Sequence, residues 1–347
     1  MTERRLYLDV GVGETRGVVT LDGRPERLLI GRDGDIACQA LGAEAVGRIR
    51  KVERQLALAF VDLGEGPDGV LNLRPDTARL VEGQAVRVEV RSEARAGKGA
   101  SLRLLGEAEG PPRLLTPAPS IEDELAAAAP RAQVVTGGVA RAMADGAEAE
   151  ALETVFPLPG GGSVAIETTR ALIAVDVDLG ERAGADAKRA TRAANFAALA
   201  TAARVLRLKG EGGLVVIDLA GRGHDGPALL SGARLAFGPD NPGVALGPIS
   251  RFGTLELTVP RRRRSLADRL LDAAGQPTAQ TLALRLIRRL EREAAADPGA
   301  RIEARAAPDV AAAAAPYLKG LTDRFGARLA LTADAARARG DPEVKAL

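Results

Sequence analysis

Two strand patterns that each end on aspartate, with one long helix pattern between them, constrain the fold of this chain most. The first strand pattern is LIAVDVDLG (172–180) and the second is GGLVVIDLAG (212–221). Residues 185–208 between them carry apolar side chains at helical spacing, among them Phe196 and Leu199. Strand, helix and strand in this order predict a βαβ unit whose two parallel strands end at the same edge of one sheet.

Three aspartates fall at that predicted edge: Asp176, Asp178 and Asp218. Side-chain alternation along the first strand places Asp176 and Asp178 on one face. Neighbouring strands lie roughly 4.8 Å apart, so Asp176 and Asp218 could share a cation such as Mg²⁺, which prefers carboxylate, water and phosphate oxygens. Asp178 is a possible third ligand or orienting group, or it is only solvated. Alternatively, all three aspartates cap loops or the next helix.

The single cysteine and the single histidine exclude several kinds of site. With only Cys38, the chain has no intramolecular disulfide and no multi-cysteine zinc site. With only His224, in the loop sequence GRGHDGP, a histidine-centred triad could form at one place, and we predict no catalytic role for it. The 48 basic and 46 acidic residues give a net charge of +2, so a nucleic-acid surface would have to be a local patch. No apolar run approaches the ~18 residues of a spanning helix, and we expect a cytoplasmic protein with no membrane partner.

The first third of the chain reads as strands. The pattern of residues 4–32 predicts a hairpin with a tight turn at Asp22-Gly23. We predict that this N-terminal unit comprises residues 1–35. Five short strand patterns over residues 36–106 favour a small closed barrel. The stretch 107–133 is rich in Pro and Ala and reads as a linker with one helical turn.

The rest of the chain alternates strands and helices. Residues 134–264 contain the βαβ unit and are predicted to be an α/β core. A C-terminal unit, 265–347, reads as helices up to 296 and as strand, helix and strand over 301–335. The closing residues, RARGDPEVKAL, are predicted to be loosely ordered.

Three further features could contact RNA. The run RRRR at 261–264, represented by Arg261 and Arg262, offers phosphate contacts, although basic runs are often only solvated. Phe60 would stack on a base if it is exposed on the barrel, whereas core packing is the commoner position for a Phe in ALAFVDLG. Lys98 in the sequence RAGKGAS would meet phosphate, or it is a simple loop lysine.

A glycine-rich N-terminal stretch gives a competing hypothesis. LDVGVGETRGVV (8–19) is similar to the phosphate loop of actin-type and sugar-kinase ATPases, because an acid after a strand is followed by Gly-x-Gly-x-Thr-like spacing. No P-loop lysine accompanies it, and no second phosphate motif follows. The alternative is a glycine-rich hairpin.

Several long segments together resemble the ribonuclease E/G family. LPGGGSVAIETTRALIAVDVDLG, NFAALATAARVLRLKGEGGLVVIDLAG and GPISRFGTLELT are similar to its catalytic core. VGRIRKVERQLALAFVDLGEGPDGVLNL and RAGKGAS resemble its S1 domain, an OB-type RNA-binding barrel. PDVAAAAAPYLKGLTDRFGARLAL resembles its C-terminal small domain.

The resemblance implies metal-dependent cleavage of single-stranded RNA. The family's two Mg²⁺-binding aspartates match Asp176 and Asp218, and Asp178 stands where the family usually has an orienting Asn. We include Asp178 among the expected metal ligands, since an acid there adds negative charge.

The resemblance also implies which residues hold the RNA. Phe60 matches the aromatic of the AFVD motif and Lys98 the lysine of the NKGA motif. Arg251 matches the arginine of the SRFG motif. The family's second stacking aromatic is Val70 here, which predicts a weaker base contact.

Three departures from the family pattern stand out. Only the 107–133 stretch separates barrel and core, so the family's 5′-monophosphate sensor is expected to be missing. SLADRLLDAAGQPTAQTL replaces the family's CPxCxG, so we expect no zinc site, and any dimer would form without a zinc link. An acid that the family often has three residues after its second aspartate is Gly221 here.

We therefore expect a multidomain α+β / α/β protein: N-terminal strands and an S1 (OB-type) β-barrel, then an α/β metal-dependent nuclease-like core and a small C-terminal α/β domain. Its expected function is Mg²⁺-dependent endonucleolytic cleavage of single-stranded RNA. Two alternatives remain: a non-catalytic RNA-binding relative, and a nucleotide-phosphate enzyme that uses the N-terminal glycine loop.

Overall fold

The computed structural model of the protein describes residues 3–74, 80–95, 97–181, 187–240 and 242–347. The chain begins with three antiparallel strands, β1 (Arg4–Val10), β2 (Glu14–Leu21) and β3 (Arg24–Arg32). The turn between β2 and β3 has positive φ at both Asp22 (49°) and Gly23 (79°). Such a turn matches the twist of the strands that it joins, and it confirms the predicted hairpin.

The barrel consists of β4 (Glu44–Glu53), β5 (Leu58–Asp62), β6 (Gly69–Asn72), β7 (Ala85–Ser92) and β8 (Ser101–Glu107). The strands follow the order β5-β6-β8-β7-β4, and pairing of β5 with β4 closes the ring. Alternate residues of each strand, such as Ala59 and Val61 of β5, fill the interior. This closed five-stranded barrel confirms the prediction and fits an S1 or OB-type domain.

The stretch 107–133, which we predict to be a linker with one helical turn, contains a strand that pairs with the barrel and a short helix that packs on the N-terminal sheet. β9 (Arg113–Thr116) pairs with β4, and α1 (Ile121–Ala128) packs on β2 with Leu125 fully buried. Ser120 and Asp123 form a capping box that satisfies amide groups of the first helical turn. The capping box and the buried Leu125 side chain stabilise a helix within this Pro- and Ala-rich stretch.

The next two elements complete the N-terminal sheet. β10 (Val134–Thr136) pairs in parallel with β1, giving the sheet order β10-β1-β2-β3, and α2 (Gly138–Leu152) packs against this sheet. Ala140, Ala144, Ala147 and Ala151 of α2 are buried there with Tyr7 and Val18. The small side chains let the helix lie close to the strands.

The central sheet carries the predicted βαβ unit. Its elements in chain order are β11 (Val155–Pro157), β12 (Ser163–Thr168), β13 (Ile173–Asp178), α3 (Ala187–Lys209), β14 (Gly213–Asp218), α4 (Gly226–Ala236), β15 (Ala245–Ile249) and β16 (Thr254–Val259). The strand order is β11-β12-β13-β14-β16-β15, in which only the pair β13 and β14 is parallel among the described residues. The βαβ prediction is confirmed, although its expected helix start at 185 lies outside the described residues.

Helices cover one face of the central sheet. Buried side chains of the strands, such as Val175 and Ile217, pack against Leu199 of α3 and Leu229 of α4. The alternate residues of the same strands point to the opposite face, where Asp176 and Leu214 are exposed. The sheet therefore has one helix-covered face and one open face.

The C-terminal unit contains α5 (Leu266–Leu270), α6 (Ala279–Ala296), β17 (Ile302–Ala306), α7 (Pro308–Ala314), α8 (Leu318–Phe325), β18 (Leu329–Ala333) and β19 (Glu343–Ala346). The helices and the strand, helix, strand order are confirmed. The prediction of a loosely ordered end is wrong, because β19 pairs with the free edge of β17 and Val344 packs on the small core there. Among the described residues, no helix is both long and apolar enough to cross a membrane.

Candidate active site

Two aspartates stand side by side at the end of the parallel strand pair. Asp176 of β13 and Asp218 of β14 are direct register partners. Both are exposed on the open face, because the residues beside them, Val175 and Ile217, point into the core. Since adjacent strands lie about 4.8 Å apart, the two carboxylates start from neighbouring backbone positions.

Among the described residues, neither of the two carboxylates has an ion pair or a hydrogen bond. Their cross-strand neighbours are Ala165 beside Asp176 and Thr254 beside Asp218, neither of which carries charge. Two adjacent carboxylates repel each other unless water or a cation offsets their charge. The pair therefore fits a hard divalent cation, whose remaining ligands would be water or phosphate oxygens.

Asp178 is not grouped with this pair. It is the last residue of β13, and its carboxylate accepts a hydrogen bond from the Gly180 amide at 3.0 Å. In the part of the chain that the structure describes, no three His, Cys, Asp or Glu residues are arranged to hold a metal. That Asp178 is a third metal ligand stays a prediction, and its observed contact caps the turn after β13.

A glycine loop packs tightly against the end of β13. Gly162 has φ of +73°, and a Cβ atom there would lie 2.3 Å from the backbone oxygen of Asp178. Only glycine tolerates both the positive φ and this close approach. The Gly-rich turn between β11 and β12 therefore fixes the backbone from which Asp176 and Asp178 project.

One buried amide clamps the loop that follows Asp218. Asn195 of α3 donates from Nδ2 to the Ala220 oxygen and accepts from the Ala220 amide, both at 3.0 Å. Gly221 has φ of +83°, and a Cβ there would lie 2.8 Å from Cγ2 of Thr191. Sequence reasoning missed Asn195, although a polar residue on the apolar face of a predicted helix is a signal for such a contact.

The SRFG hairpin between β15 and β16 lies beside Asp218. Its tip is closed by a hydrogen bond from the Ser250 amide to the Thr254 oxygen at 2.8 Å. The Leu219 amide donates to the Gly253 oxygen at 3.2 Å, which ties the tip to the residue after Asp218. The predicted RNA contact Arg251 is exposed on this tip, so the structure brings it near the acid pair.

His224 packs against the same hairpin. A Cβ on Gly253 would lie 3.2 Å from its Nε2 atom. That nitrogen is buried and has no hydrogen-bond partner among the described residues. A proton-transferring nitrogen must reach the substrate, so the absence of a catalytic role for His224 stays our prediction.

The barrel places its two predicted RNA contacts on neighbouring strands. Phe60 is half-buried on the outer side of β5, opposite Val70 of β6. Val70 in turn lies beside Ser101 of β8, and exposed Lys98 is in the turn that leads into that strand. Phe60 does not belong to the barrel core, whose members on β5 are Ala59 and Val61.

The arginine run lies at the other end of the sheet. β16 is antiparallel to β14, so Thr254 is opposite Asp218 while Val259 is opposite Gly213. Five residues of strand separate these two positions by roughly 17 Å. The run starting at Arg261 therefore does not share a site with the acid pair.

Contacts within the protein occupy much of this run. Arg261 Nε donates to the Gly212 oxygen, and Arg262 donates to the Pro242 oxygen at 3.3 Å. Arg263 pairs with Glu124 of α1 at 2.6 Å and with Glu93 of the barrel at 3.7 Å. Direct RNA contact by Arg261 and Arg262 stays a prediction, while the observed contacts join the core to the barrel.

The N-terminal glycine loop is packed against the C-terminal unit. The Val12 amide donates to a carboxylate oxygen of Glu291 at 3.1 Å, and a Cβ on Gly13 would lie 2.4 Å from the Tyr317 ring. Asp9 forms ion pairs with Arg16 at 2.6 Å and Arg141 at 3.1 Å. A protein carboxylate and an aromatic ring thus stand where the phosphate-loop hypothesis needs a nucleotide.

Comparison with known proteins bears on the segment that holds the acid pair. Residues 139–264 match the model of the Ribonuclease E/G family. Ribonuclease E of Haemophilus influenzae is 33% identical over 147 residues, which are 40% of this chain and 16% of that protein. Ribonuclease E of Escherichia coli K12 is 32% identical over 147 residues, covering 40% of this chain and 14% of that protein.

A plant protein matches over a shorter stretch. The chloroplastic ribonuclease E/G-like protein of Arabidopsis thaliana is 33% identical over 115 residues, which are 32% of this chain and 12% of that protein. The matched segment therefore spans less than a fifth of each of these three relatives. The segment matched by the family model contains the parallel strand pair with Asp176 and Asp218, and over this segment the chain is similar to the ribonuclease E/G family.

Proposed function

We propose that the protein is an endoribonuclease that cleaves single-stranded RNA with Mg²⁺ held by Asp176 and Asp218. The observation that carries this proposal is the register pairing of the two exposed aspartates within the family-matched segment. The names of the relatives supply the reaction class. The open face of the sheet would give an extended RNA strand access to both carboxylates.

The mechanism follows from the groups around the pair. Mg²⁺ bound there would lower the pKa of a coordinated water and offset the charge that develops on the phosphate. Asp176 and Asp218 would hold the cation, and the Asn195 clamp keeps the loop after Asp218 in place. Arg251, exposed on the hairpin tied to that loop, would meet a phosphate of the bound RNA strand.

The barrel supplies the second part of the proposed RNA path. Phe60 would stack on a base with its exposed part, and Lys98 would meet a phosphate. Val70, opposite Phe60, has no aromatic ring. A base stacked on Phe60 alone would therefore be held less firmly than a base stacked against two aromatic rings. Arg261 and Arg262 would contact only RNA that extends to the far end of the sheet.

Assembly and location stay predictions. One cysteine cannot build the family's zinc link, so we propose that any dimer forms by ordinary side-chain packing. A cytoplasmic location is proposed on the same footing, as the place where the RNA substrate would be met.

A non-catalytic RNA-binding relative is the second candidate. The departures from the family pattern motivate it, among them Val70 in place of the second stacking aromatic, whereas the retention of both aspartates argues against it. The nucleotide-phosphate hypothesis has no such observation in its favour, since Glu291 and Tyr317 fill the space around the glycine loop.

Metal-dependent cleavage distinguishes the two candidates. The substrate is a 5′-labelled, A/U-rich single-stranded RNA, incubated with the protein in Mg²⁺ or in EDTA. Internal cuts that require Mg²⁺ support the nuclease. RNA that stays intact in both conditions but shifts on a native gel would replace the nuclease with the binding protein.

A further inference from the structure

Phe252 is an aromatic residue that the fold leaves in solvent. The chain has six Phe and two Tyr residues and no Trp, all within the described residues. Seven of these eight side chains are buried or half-buried, whereas Phe252 is 75% exposed. Single exposed apolar side chains are common on protein surfaces, so the case for a binding role of Phe252 depends on where the ring stands.

The ring stands next to the acid pair. It belongs to the SRFG hairpin, in which Thr254 is the register partner of Asp218. The hydrogen bond from Leu219 to Gly253 joins the hairpin tip to the strand end that carries Asp218. Phe252 is thus only two residues from the strand position opposite a proposed metal ligand.

Local contacts hold the tip in a defined conformation. The Phe252 amide donates to Ser250 Oγ at 3.2 Å, and Ser250 Oγ and Thr254 Oγ1 are 2.7 Å apart. The Arg251 guanidinium lies 4.7 Å from the centre of the Phe252 ring, within the range of a cation–π contact. A stacked arginine and phenylalanine present both a positive group and an aromatic surface.

We propose that Phe252 is a stacking platform for one RNA base beside the bond to be cut, which makes it a positioning residue for the reaction. This inference rests on the proposed function and extends it to a residue outside the predicted site. Two carboxylates repel the phosphates of an approaching strand, so a base held on an uncharged ring would fix that strand close to them. Stacking tolerates any base, which suits a contact that does not depend on sequence.

The absence of tryptophan offers a direct probe. Phe252→Trp introduces the only Trp of the chain, and its fluorescence should be quenched when a base stacks on it. The control is Leu235→Trp on α4, a site 83% exposed on the helix side of the sheet. Both variants are titrated in EDTA with a single-stranded RNA of about ten nucleotides, so that no cleavage occurs.

We expect strong quenching in Phe252→Trp and little change in Leu235→Trp. Equal responses of the two variants would overturn the proposal. A concentration-dependent signal without RNA, matched by dimers in analytical ultracentrifugation, would also overturn it, because the ring would then contact a second copy of the chain.

A kinetic experiment tests positioning separately. Phe252→Ala should lower kcat/KM for RNA cleavage about tenfold through KM, at an unchanged melting temperature. In a series of RNAs that each carry one abasic nucleotide, wild-type protein should cleave one RNA more slowly, the one whose missing base lies near the cut. Phe252→Ala should cleave all RNAs of the series at similar rates. An abasic profile identical in the two proteins would contradict stacking.

These results separate this inference from the proposed function. If wild-type protein does not cleave RNA but Phe252→Trp is still quenched, the stacking platform stands and the nuclease proposal fails. If the wild type cleaves and Phe252 variants show neither quenching nor a changed KM, only the stacking proposal fails.

Discussion

At the residue scale, the candidate site depends on a few groups that hold no substrate. Asn195 makes two hydrogen bonds to one residue, Ala220, and is almost fully buried. Nothing in its sequence position distinguishes it from a surface residue of a helix, apart from its place among apolar neighbours. Its importance follows from the loop that it holds behind Asp218.

Replacing Asn195 tests this clamp. Asn195→Ala leaves the amide and the oxygen of Ala220 without partners, which should lower the free energy of unfolding by about 1–3 kcal/mol. Because the loop follows Asp218, kcat for RNA cleavage should also fall, even under conditions in which the variant remains folded. Urea denaturation and cleavage at saturating RNA measure the two effects.

A control variant separates the two contributions. Arg328→Met removes hydrogen bonds to the Ala294, Asp297 and Ala300 oxygens in the C-terminal unit, far from the acid pair along the chain. It should cost comparable stability and leave kcat unchanged. A normal kcat in Asn195→Ala would show that the clamp only stabilises the fold.

At the element scale, glycines decide how closely turns approach the strand ends. Gly162 faces the Asp178 oxygen and has a positive φ, whereas a Cβ added to Gly146, inside α2, would meet no neighbouring atom within 4 Å. The same substitution should therefore have opposite effects at the two positions. The difference comes from the neighbours and the backbone angle, not from the residue type.

Gly162→Ala should destabilise the protein by about 2 kcal/mol or more, because the turn must move away from β13. Gly146→Ala should stabilise it by about 1 kcal/mol, since alanine favours a helix interior. Melting temperatures measured side by side test both changes. Equal shifts in the same direction would contradict the close approach at Gly162.

The strands and turns differ in how well the sequence predicts them. Two strand patterns with a helical spacing of apolar residues between them were enough to predict the βαβ unit and to place Asp176 and Asp218 at one edge. The position of Arg261 could not be predicted in this way, because the direction of β16 relative to β14 is set by tertiary pairing. Ser120 did carry a signal, the capping box with Asp123, which composition alone obscured.

The C-terminal strand β19 shows a second limit. Its residues, Glu343–Ala346, have little strand character beyond Val344, and the pairing depends on the free edge that β17 provides. Short segments that acquire their structure from a distant partner carry little local signal. The candidate site was more predictable than the periphery because its strands are buried and strongly patterned.

At the scale of the whole molecule, a buried ionic network joins the N-terminal sheet to the C-terminal helix α6. Arg16 is fully buried and pairs with Asp9 and with Glu148 of α2, at 2.6 and 3.3 Å. Glu148 also pairs with Arg285 at 2.8 Å and Arg288 at 3.3 Å, both on α6. Removal of one partner from such a network leaves an unpaired buried charge.

The network should make stability depend on pH on the acid side. Burial alone would raise the pKa of Glu148, but Arg288, Arg285 and Arg16 outweigh it and hold that pKa below its ordinary value. A lowered pKa in the folded state means that the stabilisation is complete above the unfolded-state value and is lost as pH falls through the folded-state value.

Glu148→Gln tests this dependence. At pH 7 it should cost about 3–5 kcal/mol of unfolding free energy, because three arginines lose a buried counter-charge. The difference from wild type should shrink as pH falls below the ordinary range of a glutamate. Urea denaturation between pH 3 and 7 provides the curve, and a constant difference across that range would argue against the coupling.

The central claim is that two aspartates, and not the third beside them, hold the catalytic metal. Its most direct test compares Mg²⁺-dependent cleavage of single-stranded RNA by wild type, Asp176→Asn, Asp218→Asn and the matched control Asp178→Asn. We predict a loss of at least about a hundredfold in the first two variants, with RNA affinity largely unchanged, and near-normal cleavage in the third. Cleavage at the wild-type rate by Asp218→Asn would contradict the account.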